Sequence, residues 1–222
     1  MTLARIYRKS PEAIVSYSYT DFASKTGIVI FYGYKDEDSY KLTQNTLYSN
    51  RVMTTTTHSS PGGTDYTSHD LDFDILFNAP QVIRGQVIAT VPFGVRNTFG
   101  TTQNYARYVK IYVRKWDGSN ETEIANDTSE QFGDAGTTYA LTAGSQHRLL
   151  FTTSVTVPTT LFKAGEYLRI TVEAHGWNGG ATSDYFIGHD PANRATDGWE
   201  STNTFNTDPS IMKFEVPFKI PY

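Results

Sequence analysis

Apolar and polar residues alternate with period two through much of this chain, in segments bounded by glycine, proline, aspartate and asparagine. Over Arg107 to Trp116, Val109, Ile111 and Val113 share one face, and Tyr108, Lys110, Tyr112 and Arg114 share the other. That is the pattern of a strand with one wet side. The turn residues Asp117-Gly118-Ser119-Asn120 follow, and a second strand over residues 121–128 completes a hairpin. Leu149, Phe151, Thr153, Val155 and Val157 share a face before Pro158. After a Lys163-Ala164-Gly165 turn, Leu168, Ile170, Val172 and Ala174 point one way, and Tyr167, Arg169, Thr171, Glu173 and His175 the other. Residues 27–34, 51–57, 70–77, 82–91 and 212–222 read as further strands, for about eight or nine in all.

No long segment carries a helical period, which argues against parallel strands joined by helices. The fold class expected is therefore all-β: an antiparallel two-sheet sandwich of the jelly-roll type, with an extended N-terminal arm and a long aromatic-rich loop. The arm is residues 1–26 and the sandwich domain residues 27–222. Pro217 cannot donate to a ladder and is expected at an edge or facing outward. The loop is residues 176–210, rich in glycine, asparagine and aspartate yet carrying Trp177, Tyr185, Phe186, Trp199 and Phe205. Solvated linkers do not normally hold so many large aromatics, so this loop is expected to pack against something.

Composition narrows the function classes. The 222 residues include 31 threonines, 10 leucines and no cysteine, which fits strands and excludes disulfides, thiolate metal sites and cysteine nucleophiles. Nineteen basic against 23 acidic residues leave a net charge of −4, against the basic surplus of a nucleic-acid binder. No apolar run approaches a bilayer-spanning length, and residues 1–19 show no signal-peptide core, so no membrane partner is expected and synthesis is expected in the host cytoplasm.

Motifs for chemistry are few. The sequence has no Gly-x-x-x-x-Gly-Lys-Ser/Thr loop, no His-Glu-x-x-His and no Gly-x-Ser-x-Gly elbow, and no cofactor is expected. Asp70, Asp72 and Asp74 fall on one face of a strand, where three like charges need water, a cation such as calcium, or basic neighbours such as Lys110 and Arg114. Trp116, Trp177 and Trp199 each lie beside amides or carboxylates, a combination able to stack on and bond a sugar. A glycan ligand is therefore one expectation. A polysaccharide hydrolase using a pair such as Asp184 and Asp190 is another, although nothing in the spacing fixes their separation.

The run Leu161-Phe162-Lys163-Ala164-Gly165-Glu166-Tyr167-Leu168-Arg169-Ile170-Thr171-Val172, the closing strand Phe214-Glu215-Val216-Pro217-Phe218-Lys219-Ile220 and the stretch from Tyr19 to Gly33 resemble jelly-roll virion structural proteins of tailed bacteriophages. The resemblance covers about a quarter of the chain and transfers no catalytic residue. It implies a non-enzymatic capsid decoration or auxiliary head protein located in the virion, bound to the major capsid protein or other virion proteins and to copies of itself as a homo-oligomer such as a trimer. The residues expected to bind partners are Arg5, Arg8, Lys9, Tyr17, Tyr19 and Phe22 in the arm, and Trp177, Tyr185, Trp199 and Phe205 in the loop. A carbohydrate- or receptor-binding module of a virion appendage is the alternative.

Overall fold

The structure is a computed structural model that describes residues 26–47, 51–59, 65–133, 140–178, 182–193 and 210–219. Among these residues there are strands and turns and no helix. In chain order the strands are β1 (Thr26–Asp36), β2 (Ser39–Thr43), β3 (Met53–Ser59), β4 (Tyr66–Leu76), β5 (Gln81–Asn97), β6 (Gln103–Trp116), β7 (Glu121–Thr128), β8 (Ala140–Leu141), β9 (Gln146–Phe162), β10 (Tyr167–Asn178), β11 (Thr182–Gly188) and β12 (Lys213–Lys219).

The strands pair in the order β3-β11-β5-β12-β1-β2-β4-β10-β6-β7, with β9 on β5 and β8 on β6. The all-β expectation holds. Two separate, purely antiparallel sheets do not: β2 pairs with β4 in parallel at Lys41 and Asp74, which joins the two halves into one mixed, unclosed path. The physical reason is the short β1–β2 hairpin, whose second strand lies beside β4 for a single register position.

The path folds so that its two halves face each other as layers. One contains β1, β3, β5, β9, β11 and β12, and the other β4, β6, β7 and β10. Between them, Phe73 packs on Phe214 and Tyr40, and Phe77 packs on Phe162 and Phe218, with ring centroids 5.3 to 6.0 Å apart. Val109, Ile111, Val113, Leu168, Ile170 and Val172 are fully buried, as their alternation requires. Arg107 is also fully buried, and donates to the carbonyls of Phe93 and His147 at 3.1 Å and to Nδ1 of His147 at 2.8 Å. It thus ties β6 to β5 and β9.

Two expectations change here. Pro217 is not at an edge: it is buried in β12, between β1 and β5, where the β12–β5 register shifts between Glu215 and Phe218. The shift spares it a ladder bond, and Gly85, whose φ of 120° disfavours any other residue, lets the two backbones pass. The long loop is also partly regular, because β10 extends to Asn178 and β11 occupies residues 182–188. β11 lies between β3 and β5 and is buried along both faces, so no alternation marks it. The N-terminal arm up to residue 25 lies outside the described residues.

Gly176 of β10 abuts β11, and a Cβ there would stand 2.6 Å from the buried ring of Tyr185. Gly176→Ala is expected to destabilise the protein by about 1–3 kcal/mol through overpacking. An unchanged midpoint in urea unfolding contradicts this packing.

Candidate functional site

The outward face of β4, β10 and β6 carries the polar chemistry. Asp74 lies opposite Arg169, Asp72 opposite Thr171 and Asp70 opposite Glu173, and β6 places Arg114, Tyr112 and Lys110 on the far side of the same three residues. Arg169 grips Asp74 with two bonds of 2.8 Å, reaches Asp72 at 3.2 Å and Glu121 at 2.7 Å, and lies 4.4 Å over the Trp116 ring. A bidentate, stacked guanidinium is what a row of carboxylates on a half-covered surface requires. The main basic partner of the acidic row is thus Arg169, while the expected Arg114 acts on Asp70 through its charge. Arg114 bonds Thr171 at 3.1 Å and Glu121 at 3.0 Å, and Lys110 lies 4.5 Å over the Tyr112 ring. With Asp72 and Asp74 so engaged, the three aspartates form no cation site, and no group of three metal-ligating side chains gathers among the described residues. Asp70 stands apart from Arg169, and burial followed by repulsion from Asp72 and Glu173 pushes its carboxyl above the usual range.

Further along the same face is an open cleft of about 690 Å³ lined by Asp65, Tyr108, Lys110, Glu173, His175 and Trp177, among others. His175 sits where the β10–β4 register shifts between Ala174 and His175, a bulge that re-aims the side chain. Its ring stacks on Tyr108, centroids 4.5 Å apart and planes within 5°. Two carboxylates flank it: Glu173 is 3.4 Å from Nε2 and Asp65 is 3.8 Å from Nδ1. Both carboxylates are held in turn, as Tyr108 donates its hydroxyl to Asp65 at 2.6 Å and Tyr112 donates to Glu173 at 3.0 Å. Burial, and then the bond to Asp65, push the Tyr108 hydroxyl up to about 12, which keeps it a donor. The imidazole side chain is 15% exposed and Asp65 51% exposed, so a small molecule reaches the ring from the Asp65 side. Such an arrangement can move a proton at an imidazole nitrogen while carboxylates orient the ring.

Of the residues expected to bind partners, Trp177 lies on the wall of this cleft. Tyr185 does not face outward: it is fully buried, packed on Tyr66 at 5.5 Å and Phe93 at 6.0 Å, because β11 is an inner strand. Arg5, Arg8, Lys9, Tyr17, Tyr19, Phe22, Trp199 and Phe205 lie outside the described residues. Asp184 and Asp190 do not form an exposed acid pair. Asp184 is ion-paired with Arg96 and accepts from Thr57 at 2.6 Å, and Asp190 is fully buried and accepts from the Ala192 backbone at 3.2 Å. Sequence reasoning missed Tyr108, Glu173 and His175 as a group, although it set Tyr108 on one wet face and the other two on another. The pairing of β6 with β10 would have joined them.

No protein-family model matches the sequence, and no curated protein matches it. Solved structures do share the fold. An aminopeptidase from a marine sediment Thaumarchaeota archaeon is 10% identical with a TM-score of 0.56, over 88% of this chain and 37% of its own. An α-amino acid ester hydrolase is 10% identical with a TM-score of 0.52, over 86% and 36%. A CocE/NonD family hydrolase from Staphylococcus aureus is 12% identical with a TM-score of 0.43, over 73% and 36%. This chain therefore spans about a third of the length of these hydrolases. Infectious bursal disease virus is matched at a TM-score of only 0.29, and no tailed-phage protein family is shown. These neighbours overturn the expectation of a non-enzymatic virion structural protein, since the folds shared at TM-scores above 0.5 belong to hydrolases.

Arg169→Gln leaves Asp72, Asp74 and Glu121 without their shared cation and is expected to destabilise the fold by about 1–3 kcal/mol. Chemical denaturation measures this, and a neutral substitution would show that the acidic row needs no counter-charge.

Proposed function

We propose that this chain serves a hydrolytic enzyme and that the β6–β10 cleft is where the scissile bond meets water. The observation that carries the reading is His175, stacked on Tyr108 and flanked by Asp65 and Glu173. The hydrolases that share the fold support it. With no Gly-x-Ser-x-Gly elbow in the sequence, the attacking group is assigned to water.

His175 takes a proton from that water as its oxygen adds to an acyl carbon, and returns a proton to the leaving alkoxide or amine as the acyl bond breaks. Asp65 and Glu173 orient the ring between the two steps. The Lys110 ammonium lines the same cleft and favours the negative charge that develops on the acyl oxygen. Trp177 and Tyr108 supply apolar surface for the rest of the substrate. The fold accords with a jelly-roll-like reading of the two layers, supported by antiparallel ladders β5–β9, β4–β10 and β6–β10.

A panel of chromogenic acyl esters and aminoacyl amides tests the proposal. The chain is expected to release product, and His175→Ala to lower kcat/KM by about 10²–10⁴-fold. Turnover no faster than buffer, or full activity in the variant, counts against the reading.

A further inference from the structure

We propose that His69 and His189 form an acid-sensitive latch between the two layers, whose protonation opens the seam at β2, β4 and the end of β11 before the β6–β7 hairpin is lost. The latch borders the cleft, since His69 lies opposite Ala174 between the cleft residues Glu173 and His175, but it does not depend on the cleft's chemistry.

His69 belongs to β4 in one layer, and His189 follows β11 in the other. They are 4% and 0% exposed. Thr54 of β3 links them. Its hydroxyl lies 2.9 Å from Nε2 of His189 and 2.8 Å from the hydroxyl of Tyr40 on β2, and its backbone faces His69. Tyr40 packs edge-on against His189 at 5.6 Å and against Phe73 of β4 at 5.3 Å. Tyr40 thus brings His189 beside the single parallel joint, Lys41 to Asp74, while His69 lies five residues further back along β4.

Nε2 of His69 and Nδ1 of His189 meet no hydrogen-bond partner. A proton on either is thus a buried charge favoured only by backbone groups and, at His189, by Asp190, which do not offset the cost of burial. The charged groups facing the pair oppose or fail to offset it: Lys35 of β1 repels a proton on His189, His189 repels one on His69, and Asp190 gives His189 the smallest of its favourable effects. Burial is the largest cause in both, and holds each near 4 against an ordinary 6.5. Because the closed form binds these protons more weakly than the open form, closure is intact above about pH 6.5 and is lost progressively as pH falls toward 4. With two such groups, the opening equilibrium rises on the order of 10²–10³-fold between pH 7.5 and 5.

His147 is a half-buried imidazole also held near 4, by burial and by Arg107, but it lies on β9, away from the seam. It provides the control. In amide hydrogen exchange on the full chain, corrected for intrinsic rates, opening at β2 and at residues 67–70 is expected to rise on the order of 10²–10³-fold from pH 7.5 to 5. The amides of β6 are expected to exchange at least about tenfold more slowly than the seam at pH 5. His147→Gln keeps this response at the seam, and the double variant His69→Gln/His189→Gln flattens it. Equal exchange at the seam and β6, no response in the native chain, or an unaltered response in the double variant overturns the proposal. Should the double variant not fold, NMR titration of the native imidazoles decides: both rings stay neutral down to about pH 5, and titration of either near 6.5 refutes the latch.

Discussion

The inner-face packing of β4, β10 and β6 against the opposing layer is the constraint on which the rest of the structure depends. Leu168, Ile170 and Val172 of β10 go inward with Leu71 and Phe73 of β4 and Ile111 and Val113 of β6. Each large side chain so buried contributes about 1.5–3 kcal/mol. Because strand side chains alternate strictly, a slip of one residue would expose all of them together. The same register places Arg169 opposite Asp74 and His175 opposite Tyr108 on the outer face. The polar surface is thus positioned by the apolar one.

On that surface electrostatics takes two forms. Near Asp72 and Asp74 the carboxylates are neutralised by one guanidinium that also lies over Trp116, a closed arrangement with little left to offer a ligand. At the other end, Asp65 and Glu173 are held by tyrosine hydroxyls, which orient them without cancelling their charge. The imidazole between them is partly exposed. The carboxylates of the cleft orient an imidazole, whereas those of the acidic row are closed on a guanidinium, and this separates the two sites.

The ladders around β6, β9 and β10 were legible in the sequence, because each buries one face and wets the other, and the turn Asp117 to Asn120 announces the hairpin into β7. β11 was not legible. Its burial on both sides erases the alternation, so Tyr185 read as a loop aromatic when it is a core residue. Pro217 misled for a related reason: an inner strand tolerates it only through a register shift, and Gly85, which makes room, lies far away in sequence. The cleft was hidden because its members come from β6, β10 and the residue before β4, and alternation within one strand does not say which strand lies beside it.

Inner packing holds His175 flat on Tyr108 in a cleft open to solvent. Proton NMR of the histidine rings tests this most directly. The ring protons of His175 are predicted to lie well upfield of a free imidazole, shifted by the Tyr108 ring current, and to move to ordinary positions in Tyr108→Leu. A His175 resonance at the free-imidazole position in the native protein would contradict the account.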